Sequence, residues 1–517
     1  MISPKTGNRI ISHPYFPGIF LFFIFLAIAL CVYQDYGVAW DEPLQRGPGL
    51  LSYNYIFLGN NELLTSPNDN HGTGFELLLI VIEKAMHISD SRDVYLMRHL
   101  VTHVFFLLGA LSFYFLTLRL FKNKWLASLG FLLIVLAPRL YAHSYFNSKD
   151  LPFLSMIIFS MALGNLAMQK NKPLWYFILG LACGYATSIR IMGVMVTLIF
   201  TCFFLLDFTK SVYKKESGIG SIIGLILFLA GAILMLLAGW PILWSSPVHN
   251  FIEGFKMMSH YTWGGYCLFM GNVLPSEHLP WFYIPVWFLI SNPVVYLLLG
   301  FLGVIIVLID FVRKPVIFIV GIQNRIFLIS LLLFFVPVIA IIGLHSVVYD
   351  DWRHLYFIYP PFLLLGLYGL NRVWLNRYSL ILKAGVVIQL VATGIVMISS
   401  HPFQQVYFNR AISHEKDYLV KNYDFDYWGC GYKQALDYLH EHDNKQVINI
   451  AWTMNPLMNN LMILQKQDRK RFDMVEHNAD YMITCYRGVD LHYFDTLNLV
   501  YSIRVMNSPV MGVYKLH

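Results

Sequence analysis

The sequence predicts a polytopic α-helical membrane protein with a small α/β domain at its C-terminal end. Three observations predict it. Of the 517 residues, 57% are hydrophobic and only 13% charged, where a soluble globular chain has roughly 45–50% and about 25%. The apolar residues fall into runs near the length of about 20 residues that a helix needs to cross a bilayer. The charge is also uneven, with 42 charged residues in 1–400 and 25 in the much shorter 401–517. The shortage of charge excludes a soluble enzyme, a disordered protein and a nucleic-acid binder. The net charge of +7 arises entirely within residues 1–400. It reflects topology better than an anionic partner.

The first apolar run, Phe16 to Tyr33, follows Lys5 and Arg9 and is not followed by a small-x-small cleavage site, so it reads as an uncleaved first span. Eleven such runs lie near 16–34, 96–118, 125–138, 152–168, 174–189, 191–206, 221–241, 284–309, 326–345, 355–370 and 383–399. With a cytoplasmic N-terminus, the inside segments carry 16 Lys+Arg and 3 Asp+Glu, and the longer outside segments carry 8 and 14. Basic residues concentrate on the cytoplasmic side of membrane proteins, and an odd number of spans then puts the tail outside. Within the outer loop 35–95, the stretches Leu50–Phe57 and Phe75–Ala85 predict amphipathic helices at the interface. Gly180-x-x-x-Gly184 and Gly220-x-x-x-Gly224 lie in apolar runs and predict close helix packing. Gly218-x-Gly220 fails as a dinucleotide loop because no strand precedes it.

Residues 1–400 thus form a transmembrane domain and 401–517 an extracytoplasmic α/β domain. The tail pattern predicts a helix at 432–442 and strands near 446–452, 480–486, 499–505 and 511–516. The six cysteines have no CxxC spacing, which argues against zinc. A disulfide between Cys430 and Cys485 fits a tail outside the cytoplasm.

Ionisable residues near a membrane surface are costly and usually functional. Here they gather on the outer side: Asp41-Glu42 after the first span, Arg139, Lys149 and Asp150 in one loop, Arg190 between two runs, and Tyr349-Asp-Asp-Trp-Arg-His354 before the tenth. A carboxylate there can take a proton from a hydroxyl, and cations can hold a phosphate. That combination suits group transfer from a lipid phosphate. Each piece has a plainer explanation: Asp41-Glu42 as a helix cap, Lys149-Asp150 as a local ion pair, Arg190 and Arg353-His354 as headgroup anchors. His99 and His103 have the i, i+4 spacing of metal ligands, but on an apolar helix beside Arg98 they read as packing. Asp424-Phe-Asp426 has the Asp-x-Asp form of nucleotide-sugar enzymes, on the side where nucleotide sugars are not expected.

Four stretches together resemble the GT-C glycosyltransferases, and among them the bacterial members related to protein O-mannosyltransferases and lipid A aminoarabinose transferase. They are Trp40-Asp-Glu-Pro43, Pro138-Arg through Phe146-Asn-Ser-Lys-Asp-Leu-Pro152, Leu279-Pro-Trp-Phe-Tyr-Ile-Pro-Val-Trp287 and Tyr349-Asp-Asp-Trp-Arg-His-Leu-Tyr-Phe357. Tyr407-Phe-Asn409 and Asp426-Tyr-Trp-Gly429 in the tail add to the likeness. The resemblance implies an inverting enzyme that uses a polyprenyl-phosphate sugar and a lipid, glycan or protein acceptor. It implies Asp41 as general base with Glu42 supporting it. Arg353, His354 and Lys149, with Arg190 and Arg139, would meet the donor phosphate, with Asp150 and Asp351 in support. It also allows a divalent metal, with no ligands identified. His71-Gly72 stands where a His-Pro pair is common in the relatives, and Arg410 onward replaces a Gly-rich run. Both departures bear on the acceptor.

Two other classes compete. A transporter or flippase of a lipid-linked glycan would place charges at mid-span and show repeated halves. A surface-glycan polymerase or ligase would move a preassembled chain. The one-sided charges and Asp41-Glu42 directly after the first span favour single-sugar transfer. No Asn-x-Ser/Thr sequon occurs in the chain, which favours a bacterial cytoplasmic membrane over a eukaryotic secretory one.

Overall fold

Each of the eleven apolar runs is helical in the computed structural model, which describes residues 13–65, 72–215, 218–259, 263–373, 379–488 and 491–516. Lys5, Arg9 and His71 lie outside the described residues. The helices of eight residues or more are α1 Phe16–Val32, α2 Glu42–Leu58, α3 Gly74–Ala85, α4 Ser91–Phe121, α5 Lys124–Val135, α6 Pro138–Phe146, α7 Asp150–Lys170, α8 Pro173–Ile189, α9 Val194–Tyr213, α10 Ile219–Gly239, α11 Pro247–Ser259, α12 Tyr283–Ile290, α13 Val294–Arg313, α14 Ile322–Gly343, α15 Tyr359–Val373, α16 Ser379–Ser399 and α17 Tyr432–His442. Among the described residues, seven helices are long and apolar enough to cross a membrane, or eight if the bent pair α5–α6 counts as one. The protein is a multi-pass membrane protein.

Proline explains two departures from uninterrupted spans. The run 125–138 breaks before Pro138, and α5 and α6 meet at 62°, because proline has no N–H for the helix ladder and fixes its own φ. The run 284–309 is two helices, α12 and α13, separated by Ser291-Asn292-Pro293. α15 has only 15 residues, about 22 Å at 1.5 Å per residue. It continues from the 3₁₀ turn Arg353–Ile358.

Small residues set the closest helix contact that the sequence predicts. Gly180 and Gly184 of α8 face the α10 backbone, where a Cβ on Gly184 would lie 2.1 Å from the Ala232 carbonyl oxygen. The second pattern does not behave this way: Gly220 has nothing within 4 Å of a built Cβ, and Gly224 meets only the Tyr176 ring. Of the two interfacial helices, α3 matches its expected span. α2 begins eight residues earlier than the apolar stretch, at Glu42-Pro43, because proline is favoured in a helix's first turn.

In the tail, five strands are β3 Ile448–Trp452, β4 Phe472–Met474, β5 Tyr481–Thr484, β6 Asn498–Val505 and β7 Ser508–Lys515, following a hairpin of β1 Tyr266–Phe269 and β2 Asn272–Pro275 in the preceding part of the chain. The five-stranded order is β4-β3-β5-β7-β6. β3 is parallel to β4 and β5, while β7 is antiparallel to β5 and β6. Tyr432, Leu436 and Leu439 of α17 pack on Ile448, Ile450, Ile483 and Val513. Met506 and Asn507, at φ 50° and 62°, close the β6–β7 hairpin, since a two-residue turn of this twist needs both residues left-handed. The hairpin β1–β2 and the short β4 were not expected from the sequence. Cys430 and Cys485 are both free, so the disulfide that an outer tail would allow is not formed. The main apolar cluster does not stop at residue 400: Phe403, Phe408, Tyr423 and Trp428 share it with Trp287 and Trp352.

Candidate active site

A small cleft at the tail-facing end of the helix bundle gathers Asp41, Gln45, Asn147, Ser148, Lys149, Arg190, Arg353 and Trp428. These residues come from the start of α2, the turn between α6 and α7, the end of α8, the turn before α15 and the tail.

Asp41 occupies the position just before α2, but its carboxylate makes no capping bond to that helix. Its Oδ2 instead accepts from Arg353 Nη1 at 3.0 Å. Its side chain is 27% exposed, against 6% for Arg353. Arg353 Nη2 reaches Asp350 Oδ2 at 3.2 Å, and the guanidinium lies 5.0 Å from the Tyr349 ring and 4.7 Å from the Trp428 ring. Arg487 of the tail donates to the other Asp350 oxygen at 2.6 Å. Asp350 and Asp351 have φ values of 55° and 65°, which Asp tolerates better than most side chains. The two carboxylates consequently diverge: Asp350 faces the arginines of the cleft and Asp351 turns into the protein.

Asn147 builds the turn before α7. Its Oδ1 accepts from the Asp150 backbone N–H at 2.8 Å, and its Nδ2 donates to Asp150 Oδ2 at 2.8 Å. Asp150 is thereby aimed at Arg190, with which it forms an ion pair. Lys149 beside it makes no ion pair among the described residues. Burial, and secondarily the Arg190 charge, pulls its ammonium pKa down to about 8. His354 is held well below the usual imidazole range by burial and by Arg353, Arg190 and Lys149, so it is neutral at pH 7. The same three cations act on this one ring. The cleft therefore has one partly open carboxylate facing an excess of positive charge.

Other expected site residues lie elsewhere. Glu42 is 2% exposed and does not line the cleft. Its Oε1 accepts from the Ala39 N–H at 2.9 Å and lies 3.2 Å from His99 Nε2. It cannot reach a substrate, and only the supporting role is compatible with this position. Arg139 is also withdrawn from the phosphate-binding set. It is buried between the Trp287 and Phe408 rings, with Nη1 on Asp351 Oδ2 at 2.8 Å and Nε on the Tyr407 carbonyl at 3.0 Å. Asp351 further accepts from the Tyr356 and Tyr427 hydroxyls at 2.9 and 2.7 Å. Removing either ion would strand the other without solvent, so this pair works as an internal brace.

His99 and His103 do not converge on a metal. His99 meets Glu42, while His103 stacks on Tyr145 at 4.1 Å and bonds Ser144 Oγ at 2.7 Å. Among the described residues, no group of three or more His, Cys, Asp or Glu is arranged to hold a metal ion. The divalent metal that the resemblance allows is therefore assigned no ligands among the described residues. Asp424 accepts from the Leu268 N–H at 3.1 Å and anchors the β1–β2 hairpin. Burial pushes its pKa up to about 7, and that of Asp426 to about 6.

Sequence reasoning missed several contributors. Glu76 of α3 pairs with buried Arg98 and accepts from Ser148, bracing the floor beside Lys149. Its only signal was a carboxylate inside an otherwise apolar stretch. Trp428 lies in the stretch Asp426-Tyr-Trp-Gly429, and nothing local marks it as a cleft residue. Gln45 had a signal of spacing alone, one helical turn after Asp41, and Arg487 had none.

Over part of the chain, comparison with known proteins bears out the resemblance to protein O-mannosyltransferases. Residues 83–233 match the family described as dolichyl-phosphate-mannose-protein mannosyltransferase. No curated protein matches the sequence. Among solved structures, the chain is similar to ArnT from Cupriavidus metallidurans bound to undecaprenyl phosphate, with 12% identity, a TM-score of 0.47, and 95% of this chain and 97% of that one covered. It is also similar to an oligosaccharyltransferase from Archaeoglobus fulgidus in complex with Zn and sulfate (10% identity, TM-score 0.42, coverage 85% and 67%). A third is AglB from the same organism, in complex with an inhibitory peptide and a dolichol-phosphate, at 10% identity, TM-score 0.42 and coverage of 87% and 65%. The family match and the apolar helices support a membrane glycosyltransferase as the class of this protein.

Proposed function

We propose that this protein is an inverting glycosyltransferase that moves one sugar from a polyprenyl-phosphate donor to an acceptor hydroxyl on a lipid, glycan or protein. In this reading the cleft opens on the outer side of a bacterial cytoplasmic membrane. Residues 1–400 form the transferase domain and 401–517 an outer α/β domain. The observation that carries it is the cleft itself: Asp41, its partly open carboxylate, lies 3.0 Å from Arg353 and shares the space with Lys149 and Arg190.

Asp41 takes the proton from the acceptor hydroxyl as the oxygen attacks the anomeric carbon. The bond between that carbon and the phosphate oxygen breaks, and its electron pair leaves on the phosphate. Lys149 is the cation best placed to meet that charge, because it has no carboxylate partner to give up. Arg190 and Arg353 add charge-assisted donors, with Arg353 also holding Asp41 in place. The neutral His354 ring offers a further hydrogen bond. The family name supports the donor class, since dolichyl-phosphate mannose is a sugar on a polyprenyl phosphate.

The transporter reading is weaker on this geometry, because the cleft's charges sit at helix ends and loops. The test is direct. Purified full-length protein should transfer sugar from polyprenyl-phosphate donors and leave nucleotide sugars untouched. Movement of intact lipid-linked glycan across proteoliposomes, with no glycosidic bond broken, would decide for the transporter.

A further inference from the structure

The residue proposed as base stands at the end of a short loop, 33–41, that leaves α1 and enters α2. The membrane part meets this loop mainly through side chains, Tyr36 stacking on Tyr145 at 4.2 Å and Val38 packing beside Tyr95 and Leu96; the backbone at 38–40 is bonded chiefly by the tail. Asn460, fully buried in the tail, mimics a strand partner for Val38: its Oδ1 accepts from the Val38 N–H at 2.9 Å and its Nδ2 donates to the Val38 carbonyl at 3.0 Å. The same amide nitrogen reaches the Gly429 and Pro456 carbonyls at 3.2 and 2.8 Å, so the clamp is tied into the tail's own turns. Asn459 continues it, donating to the Ala39 and Trp40 carbonyls at 3.2 and 3.3 Å. The Trp40 N–H donates to the Trp428 carbonyl at 3.0 Å. Gly37 permits this approach, since a Cβ there would sit 2.2 Å from the Cys430 carbonyl oxygen.

We propose that Asn459 and Asn460 are positioning residues that hold Asp41 at the cleft, so that the tail sets the geometry of a reaction performed in the membrane part. The inference rests on the reading of Asp41 as base, but the clamp is a claim of its own. Residues 38–40 are gripped on consecutive backbone groups, and Asp41 is the next residue. The grip and the Arg353 ion pair then fix its carboxylate from two sides. Amide side chains suit this task because one residue supplies both an acceptor and a donor to the same backbone unit.

The test compares full-length Asn460→Ala, Asn459→Ala, Asp41→Asn and Tyr438→Ala in detergent. It uses hydrogen exchange over residues 36–42, thermal unfolding, and the gene-dependent glycan in cells measured by mass spectrometry. Asn459 is only half-buried, so its variant keeps the question open to measurement if Asn460→Ala fails to fold. Both Asn variants should speed exchange of this segment by about tenfold, the worth of one or two net hydrogen bonds. Product should fall by roughly 10²-fold, as expected for a base displaced by about 1 Å. Tyr438 stacks on Tyr501 away from the loop, so its variant should lower the melting temperature and leave both exchange at 36–42 and product unchanged. Unchanged exchange in the Asn variants, faster exchange with full product, or the same losses in Tyr438→Ala would each overturn the positioning role. A fully active Asp41→Asn would overturn the base instead, whatever the exchange data show.

Discussion

Asp41 and Arg353 sit 3.0 Å apart across the cleft, so charge and shape can be separated by substitution. Asp41→Asn keeps the shape and removes the proton acceptor; loss of a general base typically costs about 10²–10⁴-fold in rate. Transfer at background level with normal membrane expression is expected in a purified-enzyme assay, and wild-type turnover would remove Asp41 from the mechanism. Arg353→Ala takes a donor from both Asp41 and Asp350 and should leave almost no activity. Arg353→Lys keeps the charge but cannot fork to two carboxylates, so partial activity is expected. Lys149 makes the pH dependence specific. Its pKa is lowered to about 8, and only the protonated form holds phosphate. Donor binding should therefore be present below that pH and weaken as pH rises through it. The KM for a polyprenyl-phosphate donor, followed from pH 6.5 to 9.5, should climb on the alkaline side. Lys149→Arg should flatten that limb, because a guanidinium does not titrate there. An unaltered alkaline limb in that variant would assign it to another group.

At the scale of elements, the α8–α10 contact is the clearest case where a sequence pattern predicts a distance. A Cβ on Gly184 would meet the Ala232 carbonyl at 2.1 Å, and backbone cannot move aside as a flexible side chain can. Gly184→Ala should destabilise the protein by about 1–3 kcal/mol, the usual range for overpacking. Gly220→Ala meets nothing within 4 Å and should be neutral or slightly stabilising, since alanine is the better helix former. Thermal unfolding in detergent distinguishes the two, and equal effects would mean that close backbone approach does not hold this helix pair together. Arg190 follows the end of α8, so a loosened pair should also lower transfer.

For the whole molecule, the distribution of basic residues among the loops predicts that the tail faces away from the cytoplasm. A reporter active only outside the cytoplasm should be active when fused after Leu516 and silent when fused after Lys215. The reverse pattern would place the cleft in the cytosol and remove the argument for a lipid-carried donor. The apolar cluster that joins Trp428 and Phe408 of the tail to Trp287 and Trp352 also bears on how the tail unfolds. Packing is continuous there, so removal of the tail should expose apolar surface next to the cleft.

The sequence by itself determined the polytopic helical class, the eleven apolar runs, the α/β tail and the loops in which charged residues gather. Hydropathy and helical or strand periodicity are local properties, legible within windows of about 20 residues. The Gly180–Gly184 contact is legible as well, although Gly220 shows that the same spacing has a different meaning when nothing lies opposite, and the breaks at Pro138 and Pro293 interrupt runs that hydropathy alone reads as continuous. The pairing of charges was decided only by tertiary structure. Arg139 and Arg353 read alike as outer-face cations; one is buried against Asp351, 212 positions away, while the other reaches Asp41, 312 positions away. Glu42 and Asp41 are neighbours that point to different environments. Trp428, Arg487, Asn459 and Asn460 join the site or its support from the tail, where no local pattern marks them for it. Coulomb attraction and hydrogen bonding depend on separation in space, and for residues hundreds of positions apart that separation is set by how the helices pack and where the tail docks.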